Sequence, residues 1–97
     1  MRIISRKTLK TYCEENPEIK SHLDAWYWEV KHAKWESPAD VKKSHPKSRS
    51  VGKDLVIFNI LKNRFRLIVR INYITGIVYI RFIGTHKEYD KIDIKEV

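Results

Sequence analysis

The sequence predicts an α+β fold: helices packed on one face of a small, mainly antiparallel sheet, in the order β-α-α-β-β-β. Three observations predict it. Ile19, Leu23, Trp26, Tyr27, Val30 and Ala33 form an apolar stripe at helical spacing. Three strand-like apolar runs follow in the second half, joined by short turns. In the longest run, Arg64 to Tyr73, the odd positions are Phe, Leu, Val, Ile and Tyr, and the even ones Arg, Arg, Ile, Arg and Asn. Side chains alternate across a strand, so this one buries its odd face and presents three guanidiniums on the other.

Each element follows from local chemistry. Arg2-Ile3-Ile4-Ser5 reads as a short first strand, with Ser5 placed to cap a helix running through Glu15. Asn16-Pro17 stops that helix and starts the striped one, which should reach about Lys34. Ser37-Pro38-Ala39-Asp40 has the form of a capping box and predicts a turn or two of helix through Lys43. Ser44 to Lys53 reads as a polar, basic loop. Leu55–Ile60, Arg64–Tyr73 and Ile77–Gly84 are the later strands, turning at Leu61-Lys62-Asn63 and Ile74-Thr75-Gly76. Alternation sends Val56, Phe58, Ile60, Val78, Ile80 and Phe82 inward. The open face then gathers Asn59, Arg64, Arg66, Arg70, Tyr79 and Arg81.

The 97 residues form one expected domain, 1–97, with a single core. The net charge of +8 is localised. Residues 1–40 are neutral in sum, whereas residues 41–83 hold ten Lys or Arg against Asp54 alone. A contiguous basic segment of this kind faces a polyanion. Within it, Lys42, Lys43, Lys47, Arg49 and Lys53 form a diffuse phosphate-contact surface. Cys13 stands alone, which excludes a disulfide framework and a cysteine zinc site. His22, His32 and His45 lack metal-ligand company, so no metal or other cofactor is expected. No apolar run has signal-peptide or membrane-spanning form, and the expected location is cytoplasmic, away from membranes.

Cleaving RNA without metal requires removing a proton from the 2′-hydroxyl, protonating the leaving 5′-oxygen and neutralising the phosphorane. Arg66, Arg70 and Arg81 offer the positive charge. His86 and Tyr89, just beyond the last strand, offer proton transfer and base stacking. Gly84 should let the backbone turn across the sheet and bring them there.

The strand Asn63-Arg64-Phe65-Arg66-Leu67, the strand end Phe82-Ile83-Gly84-Thr85-His86 and the sequel Glu88-Tyr89-Asp90-Lys91 resemble the HigB toxins of bacterial toxin–antitoxin modules, within the RelE-like superfamily. The resemblance extends to Arg2-Ile3-Ile4-Ser5 and to Trp35-Glu36-Ser37-Pro38-Ala39-Asp40-Val41, nearly the whole chain. It implies a RelE-like fold and an mRNA interferase, an endoribonuclease that cleaves messenger on the translating ribosome without metal. It also implies a cognate helix-turn-helix antitoxin, with operator DNA reached only through that partner. By the same resemblance Arg66 stabilises the phosphate, His86 transfers a proton or neutralises charge, and Tyr89 orients the nucleotide. Arg81 joins them as a catalytic candidate, with Asn59, Arg64, Arg70, Lys42, Lys43 and Lys53 as RNA contacts. Some relatives carry lysines on the preceding strand, where this chain has Ile57 and Asn59, so His86 is open to either a base or an acid role.

Two other classes share these residues. A non-catalytic RNA- or DNA-binding module explains the charge equally well but leaves His86 without a role. An inert subunit whose basic face only meets an acidic antitoxin explains less.

Overall fold

The computed structural model describes residues Met1 to Val97. Five strands make one sheet: β1 (Arg2–Ile4), β2 (Arg49–Val51), β3 (Leu55–Ile60), β4 (Phe65–Asn72) and β5 (Ile77–Thr85). Their order across the sheet is β1-β5-β4-β3-β2; β1 pairs parallel to β5 and every other pair is antiparallel. The helices are α1 (Arg6–Glu15), α2 (Lys20–His32), α3 (Pro38–Ser44) and α4 (His86–Asp90), with single 3₁₀ turns at Pro17–Ile19 and Ile94–Glu96. This is the α+β, RelE-like arrangement the sequence predicts, with one strand and one short helix added. No helix is long and apolar enough to cross a membrane.

The apolar stripe does what its spacing requires. Leu23, Trp26 and Val30 of α2 join Leu9, Val41 and Trp35 over the inward face of β3, β4 and β5. Trp26 meets Phe58 edge to face at 5.5 Å, and Trp35 stacks on the same ring at 6.2 Å. Trp28, on the other side of α2, is left 65% exposed. The helix stops at His32, short of Lys34, because Ala33 turns to an extended conformation. Ser5, Asn16 and Ser37 occupy N-cap positions, but none of their side chains makes an N-capping hydrogen bond; Asn16 instead donates to the Tyr12 carbonyl at the end of α1, at 3.2 Å. Before α3, the first turn is instead closed by Asp40, whose carboxylate accepts from the Glu36 amide at 2.9 Å.

Three expectations change. First, Arg49–Val51 is a strand within the segment read as loop; it folds back on β3 as a tight antiparallel hairpin, Val51 opposite Leu55. Second, the pairing of β4 with β5 shifts by one between Ile68 and Val69, and Arg81 is the extra residue. Because side-chain period in a strand is two, one inserted residue exchanges the faces beyond it. Val78 and Ile80 therefore point into the main core, but Phe82 points to the arginine face and Ile83 takes the inward place. Third, that face is not open. Leu55, Ile57 and Ile68 form a second small core, covered by Phe82, Tyr89, Ile92, Ile94 and Val97.

Ile68 is fully buried at the centre of this second core. Ile68→Ala should cost about 2–5 kcal/mol in denaturant unfolding. Amide exchange should rise first in residues 86–97, which lean on that side chain, and only afterwards in β3 and β4.

Candidate functional site

Five elements meet at one corner of the second sheet face. β4 carries Arg66, directly across from Asn59 of β3 and Gly84 of β5. α4 starts at the end of β5 and carries His86 and Tyr89. The edge strand β2 carries Arg49, in register with Ile57. The Arg66 guanidinium lies 5.8 Å from the centre of the Tyr89 ring and donates to the Asn63 carbonyl at 3.0 Å. From the other side, Arg49 donates to the Tyr89 hydroxyl at 3.1 Å. The phenol is thus held between two guanidiniums while its ring covers the second core. Since its oxygen accepts from Arg49, the hydroxyl proton is left free to be donated elsewhere.

α4 is only five residues long and is fixed almost entirely by its first turn. Thr85 Oγ1 accepts from the Glu88 amide at 3.2 Å, and a Glu88 carboxylate oxygen accepts from the Thr85 amide at 2.8 Å. This reciprocal capping box satisfies two amides that a helix start leaves without partners. The His86 amide donates to the Arg64 carbonyl at 3.0 Å, tying the helix to β4. Within α4, His86 Nδ1 lies 3.1 Å from an Asp90 carboxylate oxygen. The contact sets a carboxylate charge beside the Nδ1 edge of the ring. Both groups are about half exposed, so the pair orients the ring rather than stabilising the fold.

Gly84 serves space, not turning. Its backbone is ordinary strand, but an added Cβ would sit 2.6 Å from the Phe82 ring and 3.3 Å from Glu88 Cβ. The chain turns one residue later, at Thr85.

The structure gathers some of the expected residues and separates others. Arg66 comes together with Asn59 across the strand pair and with the Tyr89 ring, and His86 opens the same short helix that carries Tyr89. Arg64 contributes its carbonyl, while its exposed guanidinium leans toward the Phe65 ring, 5.8 Å from the centroid. Arg70 does not join them. It is four residues from Arg66, roughly 13 Å along the strand, beyond buried Ile68, and it is ion-paired with Asp54. A partner inside the protein thus answers the charge that the sequence pattern left open. Arg81 is the exposed bulge residue. Tyr79 pairs with Arg70 at that far end. Lys42 and Lys43 belong to α3, in the helix layer; Lys42 donates to the Ser48 carbonyl at 2.6 Å, a structural clamp. Lys53 is exposed in the turn before β3.

Sequence reasoning missed Arg49 as a member of this cluster and Asp90 as the partner of His86. Ile57 is buried beneath α4, and the positive charge beside that row comes from Arg49 across the strand pair.

A family model described as the RelE-like toxic component of a toxin–antitoxin system, the HigB toxin, matches residues 19–92. The chain belongs to the HigB toxin family. The match takes in the striped helix, all three antiparallel hairpins and α4, so every element of the corner lies within it. Comparison with curated proteins returned no match. As a HigB-family toxin, the chain works opposite an antitoxin partner.

The Glu88 carboxyl is held below the usual carboxylate range, chiefly by the Thr85 amide and then by its hydroxyl. Tyr12 of α1, pushed up to about 12 by burial and by the nearby Glu88 charge, keeps its proton against that carboxylate. A depressed carboxyl stabilises the folded state above its ordinary value, 4.5, and loses that contribution as pH falls through the folded value. Acidification from pH 6 to 3 should therefore release amide protection in His86–Asp90 before it does in the sheet. Glu88→Gln should flatten that local pH dependence; an unchanged profile would mean that the capping box does not hold α4.

Proposed function

We propose that this HigB-family toxin is an endoribonuclease that cleaves messenger RNA on the translating ribosome by metal-independent attack of the 2′-oxygen. One observation carries the reading: Arg49 and Arg66 bracket Tyr89 on the face where α4 also presents His86, paired to Asp90. The His86 arrangement suits a general base, with the Asp90 carboxylate beside Nδ1 and Nε2 to accept the 2′-hydroxyl proton. The 2′-oxygen then attacks phosphorus, the bond to the 5′-oxygen breaks, and that oxygen takes up a proton. Arg66 answers the charge that builds on the phosphorane. Tyr89, with its oxygen engaged by Arg49, donates its hydroxyl hydrogen toward the phosphate or the leaving oxygen, and its ring fixes the nucleotide in line. Asn59 and the exposed Arg64 flank this point. Arg81 gives further charge along β5, and Arg70 does so once it leaves Asp54. Lys43, Lys47 and Lys53 supply dispersed contacts to ribosomal RNA, and Lys42 does so where Ser48 leaves it free. The antitoxin is a helix-turn-helix protein that alone reaches operator DNA, and the site of action is the cytoplasm.

Expression of this chain alone should arrest growth, and co-expressed antitoxin should relieve the arrest. On ribosomes programmed with a defined message, Arg66→Ala should lose about 2.7–4 kcal/mol of transition-state stabilisation while ribosome association changes little. His86→Gln keeps size and hydrogen bonding but cannot cycle the proton, so turnover should fall roughly 10²–10⁴-fold. Lys43→Ala should do the opposite, weakening association and its salt dependence modestly. Growth arrest that survives both Arg66→Ala and His86→Gln would point to a non-catalytic binding module.

A further inference from the structure

On the helix layer, across the sheet from Arg66 and Tyr89, α1 and α2 enclose a groove of about 1040 Å³. Leu9, Cys13, Leu23, Tyr27 and Trp28 make its apolar part. Leu9 and Leu23 belong to the main core, Cys13 and Tyr27 pack against it, and Trp28 is 65% exposed. A lone tryptophan at this exposure beside a formed apolar groove is the kind of anchor that protein interfaces concentrate energy on. The rim is charged with a definite sign. Asp24 is already paired with Lys20 at 2.6 Å, and Arg6 lies 4.6 Å from the centre of the Tyr27 ring. Lys7, Lys10 and Lys31 remain against Glu14.

We propose that this groove is the docking site of the antitoxin, which fills it with an amphipathic segment carrying acidic residues along its flank. The inference rests on membership of a toxin–antitoxin family and not on RNA cleavage. An amphipathic helix laid in such a groove offers apolar side chains at i, i+3, i+4 and i+7 to the floor. Its carboxylates meet the three lysines, while Glu14 calls for one basic residue. A peptide can match that mixed pattern of charges, whereas the uniform charge of RNA cannot. The aromatic lining also argues against RNA: Arg6 lies over the Tyr27 ring, and one face of the Trp28 indole is taken by His32, whose ring lies 4.0 Å away. Single-stranded RNA sites instead offer free aromatic faces for bases to stack on.

The antitoxin for the test is the reading frame whose co-expression restores growth to cells making this chain. Its affinity is measured for the full chain and for Trp28→Ala and Lys10→Glu/Lys31→Glu, all at exposed positions that should fold normally. Trp28→Ala should raise Kd at least about tenfold. The charge reversal should raise it about fivefold or more, mainly through slower association at low salt. Cys13, the one thiol in the chain, reports occupancy directly: N-ethylmaleimide should label it more slowly in the complex than in the free toxin. Affinities within twofold of the parent for both variants would overturn the assignment, whatever Cys13 does. So would variants that spare antitoxin binding but weaken ribosome association, which would make the groove an RNA surface. Loss of RNA cleavage by Arg66→Ala with these affinities unchanged leaves the docking assignment standing, so the two readings fail separately.

Discussion

One extra residue in β5 organises the second face of this protein. Below the bulge at Arg81, Val78 and Ile80 point into the main core; above it, the alternation is inverted. Phe82 is thereby delivered beside Ile68, Ile83 takes the inward place, and Gly84 comes to lie across from Arg66. Each consequence is needed by the next. Phe82 and Ile68 make the apolar seat on which Tyr89 rests. Gly84 leaves room for the Phe82 ring, since a Cβ there would stand 2.6 Å from it. Thr85 then reaches the position from which it caps α4. Without the bulge, simple alternation would turn Phe82 toward the main core and take it out of the seat of α4.

The second core also explains how a basic surface remains compact. Three arginines on one sheet face would repel each other if they were adjacent and unanswered. Here they are separated and assigned different partners. Arg70 is paired with Asp54, Arg66 lies near the Tyr89 ring and bonds the Asn63 carbonyl, and Arg49 bonds the Tyr89 hydroxyl. Burial of Ile57 and Ile68 between them contributes the stabilisation that holds the charges at fixed positions. Arg49 and Arg70 stay at least partly exposed on this face, and so does the corner of Arg66, Tyr89 and His86. A five-residue helix supplies two of these groups, and its capping box does for α4 what length does for α1 and α2.

Much of this was legible in the sequence. The helical stripe, the three long strands and their turns follow from period and punctuation, and the approach of Tyr89 to Arg66 follows from hairpin order. The capping box around Thr85 was legible too, as Thr-x-x-Glu. Other features had no local signal. Arg49-Ser50-Val51 has no apolar alternation of its own and becomes a strand only because β3 offers it an edge. The Ile77–Gly84 run is apolar at nearly every position, so either register satisfies its pattern and the bulge leaves no trace in it. Ile92, Ile94 and Val97 are spaced among charges, and only the formed sheet reveals the surface they cover. Asp54 likewise meets Arg70 only through tertiary pairing, which is why three arginines looked unanswered.

The central claim is that the corner of Arg66, His86 and Tyr89 cleaves RNA through the 2′-oxygen. Its most direct measurement is the chemistry of the cut ends on a ribosome-bound message treated with purified toxin. The account predicts a 2′,3′-cyclic phosphate or 3′-phosphate upstream and a 5′-hydroxyl downstream, formed equally well when chelator is added under conditions that keep the ribosome intact. Fragments bearing 5′-phosphates, or cleavage abolished by chelator with ribosomes still assembled, would contradict it.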